Sequence, residues 1–201
     1  MHRPTHICIA RHGETDWNAA GILQGWIDVP INEKGRLQAV ELGESLAGRG
    51  FSCIYSSPLR RARETAEMIA GRLELPVPSF HDGLKERHFG RYQGVPKEEL
   101  AVTHPEVLEE IRSRNPAGHF EGGESMDHFA DRVIHALGDI ADLHEAEAVL
   151  VVTHGWVMDV ITRHVKGLPR DTVLNMKRKN IECLWLDVAD GEIREMPPPG
   201  W

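Results

Sequence analysis

Ile7-Cys8-Ile9-Ala10-Arg11-His12-Gly13-Glu14-Thr15 is an apolar run that stops at a guanidinium and an imidazole. Such a run, bounded by polar residues, reads as a buried strand with Arg11 and His12 at its carboxyl end. Far downstream the pattern recurs, where Ala148-Val149-Leu150-Val151-Val152-Thr153 leads into His154-Gly155. Ligands of open α/β sheets bind beyond the carboxyl ends of the strands. Two histidines at two strand ends therefore point to one site.

Short β-branched runs alternate with stretches of helical period, the pattern of an α/β fold with a largely parallel sheet. Strands are expected at 5–10, 51–56, 148–153 and 181–188, with a shorter one at 77–80. Leu59, Ala62, Ala66, Ile69 and Leu73 recur at steps of three and four, giving one apolar stripe on a helix from about 58 to 73 whose first turn suits Pro58. Ala39, Leu42 and Leu46 mark a helix that Asn32 caps and Gly48 to Gly50 end. Met126, Phe129, Val133, Leu137 and Ile140 mark another that starts near Ser125, and Val157, Val160, Ile161 and Val165 one that follows His154. Asp190-Gly191 between two strand-like runs is a hairpin signal and adds an antiparallel element at the sheet's edge. The expected fold is thus α/β, a three-layer α/β/α sandwich with a mostly parallel central sheet and an antiparallel edge element. The stretch 94–123, broken by Pro96, Pro105, Pro116 and Gly118, is the least regular and is read as a candidate lid.

With 201 residues, 41% hydrophobic and 27% charged, the chain has the makings of one core, and 1–201 is read as a single domain. The tail Pro197-Pro198-Pro199-Gly200-Trp201 alone reads as disordered. A net charge of −8 excludes nucleic-acid binding through a broad basic surface, so an anionic ligand needs a local cluster of cations. Cys8, Cys53 and Cys183 each fall in an apolar strand-like run, and their odd number and wide spacing suggest neither a disulfide framework nor a zinc site. Met1-His2-Arg3-Pro4 leads into no signal-like apolar segment, and no run approaches membrane-spanning length. A cytoplasmic setting without membrane attachment is expected. The oligomeric state is left open, since no exposed apolar face stands out.

Four ordered pieces carry a resemblance: Arg11-His12-Gly13-Glu14-Thr15-Asp16-Trp17-Asn18, Ser56-Ser57-Pro58-Leu59-Arg60-Arg61-Ala62, Leu84-Lys85-Glu86-Arg87-His88-Phe89-Gly90 and Thr153-His154-Gly155. With the flanking Gly21-Ile22-Leu23-Gln24-Gly25-Trp26, the chain resembles the histidine phosphatase superfamily, the phosphoglycerate mutase-like family, from Ile7 to about Trp156. The resemblance implies that His12 is the nucleophile, forming a phosphohistidine that water then hydrolyses. It implies that Arg11 and Arg61 clamp the phosphoryl oxygens, for which the planar guanidinium is well shaped. Arg60 and Arg63 beside Arg61 read as surface ion pairs. His154 would stabilise charge on the phosphoryl group, Gly155 would allow close backbone approach, and Glu86 would protonate the leaving oxygen and then activate water. Asn18, Gln24 and Gly25 match pocket positions in relatives, with turn and packing roles as the alternative. Trp17, Trp26, Tyr92 and Trp156 either shape the pocket or belong to the core. Arg87 and His88 either select an acidic substrate or are exposed loop residues.

No metal and no other cofactor is called for, because the remaining histidines, among them His128 and His135, form no convincing ligand set. The partner expected is a small phosphorylated metabolite. Metal-independent hydrolysis of its phosphate ester is the first reading, and a phosphoglycerate mutase using the same phosphohistidine is the second. The stretch between Glu86 and His154 is shorter than the mutases of this family carry, which favours hydrolysis. Arg112 and Arg114 keep the mutase open, although their setting in Glu109-Glu110-Ile111-Arg112-Ser113-Arg114 reads as a solvated helix face. An inactive relative that binds phosphorylated ligands or a protein partner would have lost His12, Arg61, Glu86 or His154, and all four are present.

Overall fold

A computed structural model describes residues 3–198. Six strands form one sheet: β1 (Thr5–Arg11), β2 (Phe51–Ser56), β3 (Ser79–Phe80), β4 (Ala148–Thr153), β5 (Cys183–Ala189) and β6 (Glu192–Met196), in the order β3-β2-β4-β1-β5-β6. β1, β2, β3 and β4 run parallel, while β5 pairs antiparallel to β1 and β6 antiparallel to β5. The expected Asp190-Gly191 hairpin joins the last two, with both turn residues in the left-handed region at φ 50° and 78°.

Side chains alternate across the sheet, so each central strand feeds two cores. Ile7, Ile9, Val149 and Val151 pack on one face against Phe129, Val133, Leu137 and Ile140 of α6 (Met126–Leu143) and Val157 and Ile161 of α7 (Gly155–Val165). On the opposite face Cys8, Ala10, Leu150 and Val152 meet Leu42 of α2 (Glu33–Ser45) and Ala62, Ala66 and Ile69 of α3 (Arg60–Leu73). Both caps read from sequence are made, Asn32 accepting from the Gly35 N–H and Ser125 from the His128 N–H. The short α1 (Asp16–Ala19) is closed by a reciprocal capping box between Thr15 and Asn18.

Several boundaries differ from the expected ones. Ile181 sits at φ 53°, outside the extended region, so β5 begins two residues late at Cys183. Pro58 stands before the helix rather than in its first turn, since Leu59 is the N-cap of α3. The stretch read as least regular contains two helices, α4 (Lys97–Thr103) and α5 (Pro105–Ser113). Two of its prolines open these helices instead of breaking them, Pro96 as N-cap of α4 and Pro105 as the first residue of α5. Of the tail, residues 199–201 lie outside the described residues. Among the described residues no helix is long and apolar enough to cross a membrane.

Candidate active site

Register brings the two strand ends level. Arg11 pairs with Thr153, and the His12 N–H donates to the Thr153 carbonyl at 2.9 Å, so His12 lies beside His154 with ring centroids 5.1 Å apart. β2 flanks β4 on its other side and delivers Ser57 and Arg61 to the same edge, the Ser57 N–H donating to the Val152 carbonyl at 3.0 Å. A cleft of about 120 Å³ opens there, lined by Arg11, His12, Asn18, Gln24, Gly25, Arg61, Glu86 and Gly155 of the expected set. It is smaller than the roughly 300–1,000 Å³ pockets that take drug-sized ligands, which fits a small solute. His154 is fully buried behind His12 and is not among the lining residues.

Hydrogen bonds define the imidazole of His12. Its Nδ1 lies 2.7 Å from the Gly13 carbonyl, which can only accept, so Nδ1 carries the proton and the Nε2 lone pair is free. Burial, and then the charges of Arg61 and Arg11, hold the pKa of His12 well below its ordinary 6.5. The ring is therefore uncharged near neutrality, with its Nε2 lone pair available. His154 is depressed in the same way, by burial first and by Arg61 next. Its Nε2 lies 2.8 Å from Ser57 Oγ.

The cations are anchored from behind. Arg61 donates through Nη1 to the Ile27 carbonyl at 3.1 Å and through Nη2 to the Gly25 carbonyl at 2.7 Å. Gly25 holds φ 53°, and a Cβ there would stand 2.0 Å from Gln93 Oε1, so this carbonyl is set by a position that favours glycine. Arg11 donates through Nη1 to the Arg178 carbonyl at 2.5 Å. The Nε atoms of Arg11 and Arg61, Arg114 Nη2 and His154 Nδ1 are buried without a hydrogen-bond partner among the described residues. Buried donors of this kind are rare unless a ligand or water satisfies them. Desolvation lowers both Arg11 and Arg61 to about 10, leaving them cationic at neutral pH.

Among the described residues Glu86 is the one carboxyl group that lines the cleft. Burial raises its pKa, while Arg114, the Arg87 N–H, Arg61 and Arg11 oppose that rise. Its backbone carbonyl is pinned by Trp26 Nε1 at 2.6 Å and Arg132 Nη2 at 2.9 Å, which fixes where the carboxyl enters the cleft. Trp26 thus acts from outside the cleft. Of the aromatic residues singled out from sequence, Trp156 lines the cleft, whereas Trp17 and Tyr92 do not.

Two readings are corrected. Arg114 is not on a solvated face: α5 ends before it, it takes φ 54°, and its half-buried side chain turns into the cleft, while Arg112 stays exposed. Arg87 is neither an exposed loop residue nor a cleft cation, for it is buried, donates to the Gly118 carbonyl at 2.9 Å and lies over the Phe120 ring. Arg60 and Arg63 do pair at the surface, with Glu64 and Glu67. Lys97, Phe89 and Ile111 also line the cleft, a role that the sequence did not assign to them. The apolar spacing of Val107, Leu108 and Ile111 was the one available signal for α5. Among the described residues no group of three His, Cys, Asp or Glu is placed to hold a metal ion.

Residues 7–196 match the profile of the histidine phosphatase superfamily (branch 1). A metal-independent phosphoserine phosphatase of Arabidopsis thaliana is 45% identical over 159 residues, 78% of this chain and 67% of its own. PhoE of Bacillus subtilis, an uncharacterized phosphatase, is 34% identical over 182 residues, 89% of this chain and 88% of its own. Among solved structures, Bacillus stearothermophilus YhfR superimposes with a TM-score of 0.85 at 33% identity, over 95% of each chain. The chain belongs to the histidine phosphatase superfamily, branch 1.

Proposed function

We propose that the protein is a metal-independent phosphatase that hydrolyses phosphate monoesters of small metabolites through a phosphohistidine on His12. The observation that carries this reading is a neutral, buried imidazole whose free Nε2 belongs to a cleft lined by Arg11, Arg61, Arg114 and Lys97, in a chain of net charge −8. Four cations against Glu86 alone make an anion site on an acidic protein.

In the first step the Nε2 lone pair attacks phosphorus and the ester P–O bond breaks. Glu86, whose protonated form burial favours, gives its proton to the departing alkoxide. Arg11 and Arg61 hold the non-bridging oxygens through their Nε–H groups, which have no partner among the described residues. With Ser57 donating its hydroxyl proton to Nε2 of His154, the Nδ1–H of His154 adds a further donor. Each such preorganised donor contributes about 2.7–4 kcal/mol to the transition state. In the second step the Glu86 carboxylate takes a proton from water, the oxygen attacks phosphorus, and the P–N bond breaks to restore His12 and Glu86 and release phosphate.

The finer substrate reading is an ester whose alcohol portion carries a second anionic group. Lys97 and Arg114 supply positive charge beyond the two forks that hold the phosphoryl group, and the Arabidopsis relative is named for phosphoserine. We read 1–201 as one domain, with 94–123 forming the lid that brings Lys97, Ile111 and Arg114 to the cleft. The test is phosphate release from phosphoserine, 3-phosphoglycerate, sugar phosphates and nucleotides, with and without chelator. Turnover that survives chelation, is blocked by vanadate and vanishes in His12→Ala is expected. Interconversion of phosphoglycerates after priming with 2,3-bisphosphoglycerate, with little phosphate released, would favour the mutase instead.

A further inference from the structure

Behind the cleft lies a carboxylate for which the chemistry above has no use. Asp159 stands one turn after Gly155 on α7 and is fully buried. Its Oδ2 accepts from Arg114 Nε, and its Oδ1 accepts from Arg178 Nε at 3.0 Å. Arg114, like Lys97, reaches the cleft from the 94–123 stretch, and it lies over the Trp156 ring with Nη2 unpaired among the described residues. Arg178 belongs to the segment between α7 and β5. It is further fixed by Glu182 at 2.6 Å, the Met158 carbonyl at 3.3 Å and Thr162 Oγ1, and its own carbonyl holds Arg11. One carboxylate thus ties a cleft cation directly, and the support of a second through Arg178. The three arginines converge on one spot, for a Cβ at Gly155 would stand 3.1 Å from Arg114 Nη2 and 3.6 Å from both Arg11 Nε and Arg178 Cβ.

We propose that Asp159 is a positioning residue, which sets Arg114 at a fixed distance from Arg11 and thereby registers a second anionic group of the substrate against the phosphoryl site. Alone, Arg114 sits at a helix end with a long side chain whose free head would be repelled by Arg11. A buried carboxylate accepting from its Nε removes that freedom and leaves the Nη2–H aimed at the ligand. Taking such a carboxylate out of water is costly, and two guanidinium partners offset the cost. Arg114 and Arg178 come from segments far apart in sequence, so this is also the point where the 94–123 stretch is locked to the sheet-facing helix.

The inference rests on the phosphatase reading and is tested by substrate selectivity. Asp159→Asn keeps the shape and removes the charge. The two substrates are phosphoserine, which has a second anion, and p-nitrophenyl phosphate, which has none. The expected result is a rise of about 10-fold or more in the ratio of the two KM values, the size of one charged hydrogen bond, with kcat falling less than KM rises. A double-mutant cycle with Arg114→Gln separates positioning from general loosening: Arg114→Gln should cost far less in the Asp159→Asn background than in the wild type. Additive effects, or equal changes for both substrates, would overturn the proposal. Should Asp159→Asn fail to fold, Arg114→Lys takes its place, because lysine keeps the charge but has no Nε–H for Asp159, and unaltered selectivity there would overturn it equally. A wild-type protein that hydrolyses neither ester would instead overturn the phosphatase reading beneath it.

Discussion

Two groups in the cleft have opposite protonation demands, and burial serves both. The pKa of His12 is depressed, so its lone pair survives in mild acid, while that of Glu86 is raised, so its proton is retained to higher pH than on a free carboxylic acid. Arg114, Arg61 and Arg11 limit the rise at Glu86, because each favours the carboxylate. The rate of the first step should therefore fall as pH rises through the pKa of Glu86. Glu86→Gln is expected to flatten this limb and to lower kcat/KM, which reports the first step alone, about 10²–10⁴-fold for an alkyl phosphate, with a smaller loss for p-nitrophenyl phosphate, whose leaving group needs no proton. A pH profile of kcat/KM for both substrates checks it, and equal losses in kcat/KM would remove Glu86 from the acid role.

At the scale of elements, the loop after β1 is braced by the start of α2. A Cβ at Gly13 would stand 2.6 Å from the Gly35 carbonyl oxygen, and one at Gly35 would stand 2.2 Å from the Glu14 carbonyl oxygen. Backbone meets backbone there, directly beside His12, and the obstacle cannot rotate away. Gly35→Ala is expected to push α2 off the loop, costing about 1–3 kcal/mol in urea denaturation and lowering kcat/KM as well. Unchanged values of both would show that the brace is not needed. The motif segments and the helix stripes were legible in the sequence because each is local: an apolar run ended by a polar pair, or a period of three and four. What brings Arg114 and Lys97 to the cleft, and Asp159 behind it, was not legible. Prolines that open helices look, in sequence, like prolines that break them. An arginine just past a helix end declares nothing about the buried carboxylate 45 residues away that takes it.

Across the whole molecule, function draws on stability through the buried histidines. An unfolded chain protonates histidine near 6.5, whereas His12 and His154 resist it when folded, so the unfolded state binds more protons below that value. Between about pH 6.5 and 5 stability should fall with pH, each of the two costing up to ~1.4 kcal/mol per pH unit. Glu86 acts with the opposite sign, since its raised pKa adds stability as pH falls through it. Thermal unfolding followed over this range should show a falling Tm, and a shallower slope in His12→Asn. A slope unaltered by that substitution would mean that His12 is protonated when folded. The proposed chemistry meets at the Nε2 atom of His12, and the most direct test is a single turnover with ³²P-labelled substrate, quenched in alkali, where phosphoimidazole survives, and mapped by digestion. The label is expected on the peptide that carries His12, and its appearance on any other side chain would contradict the account.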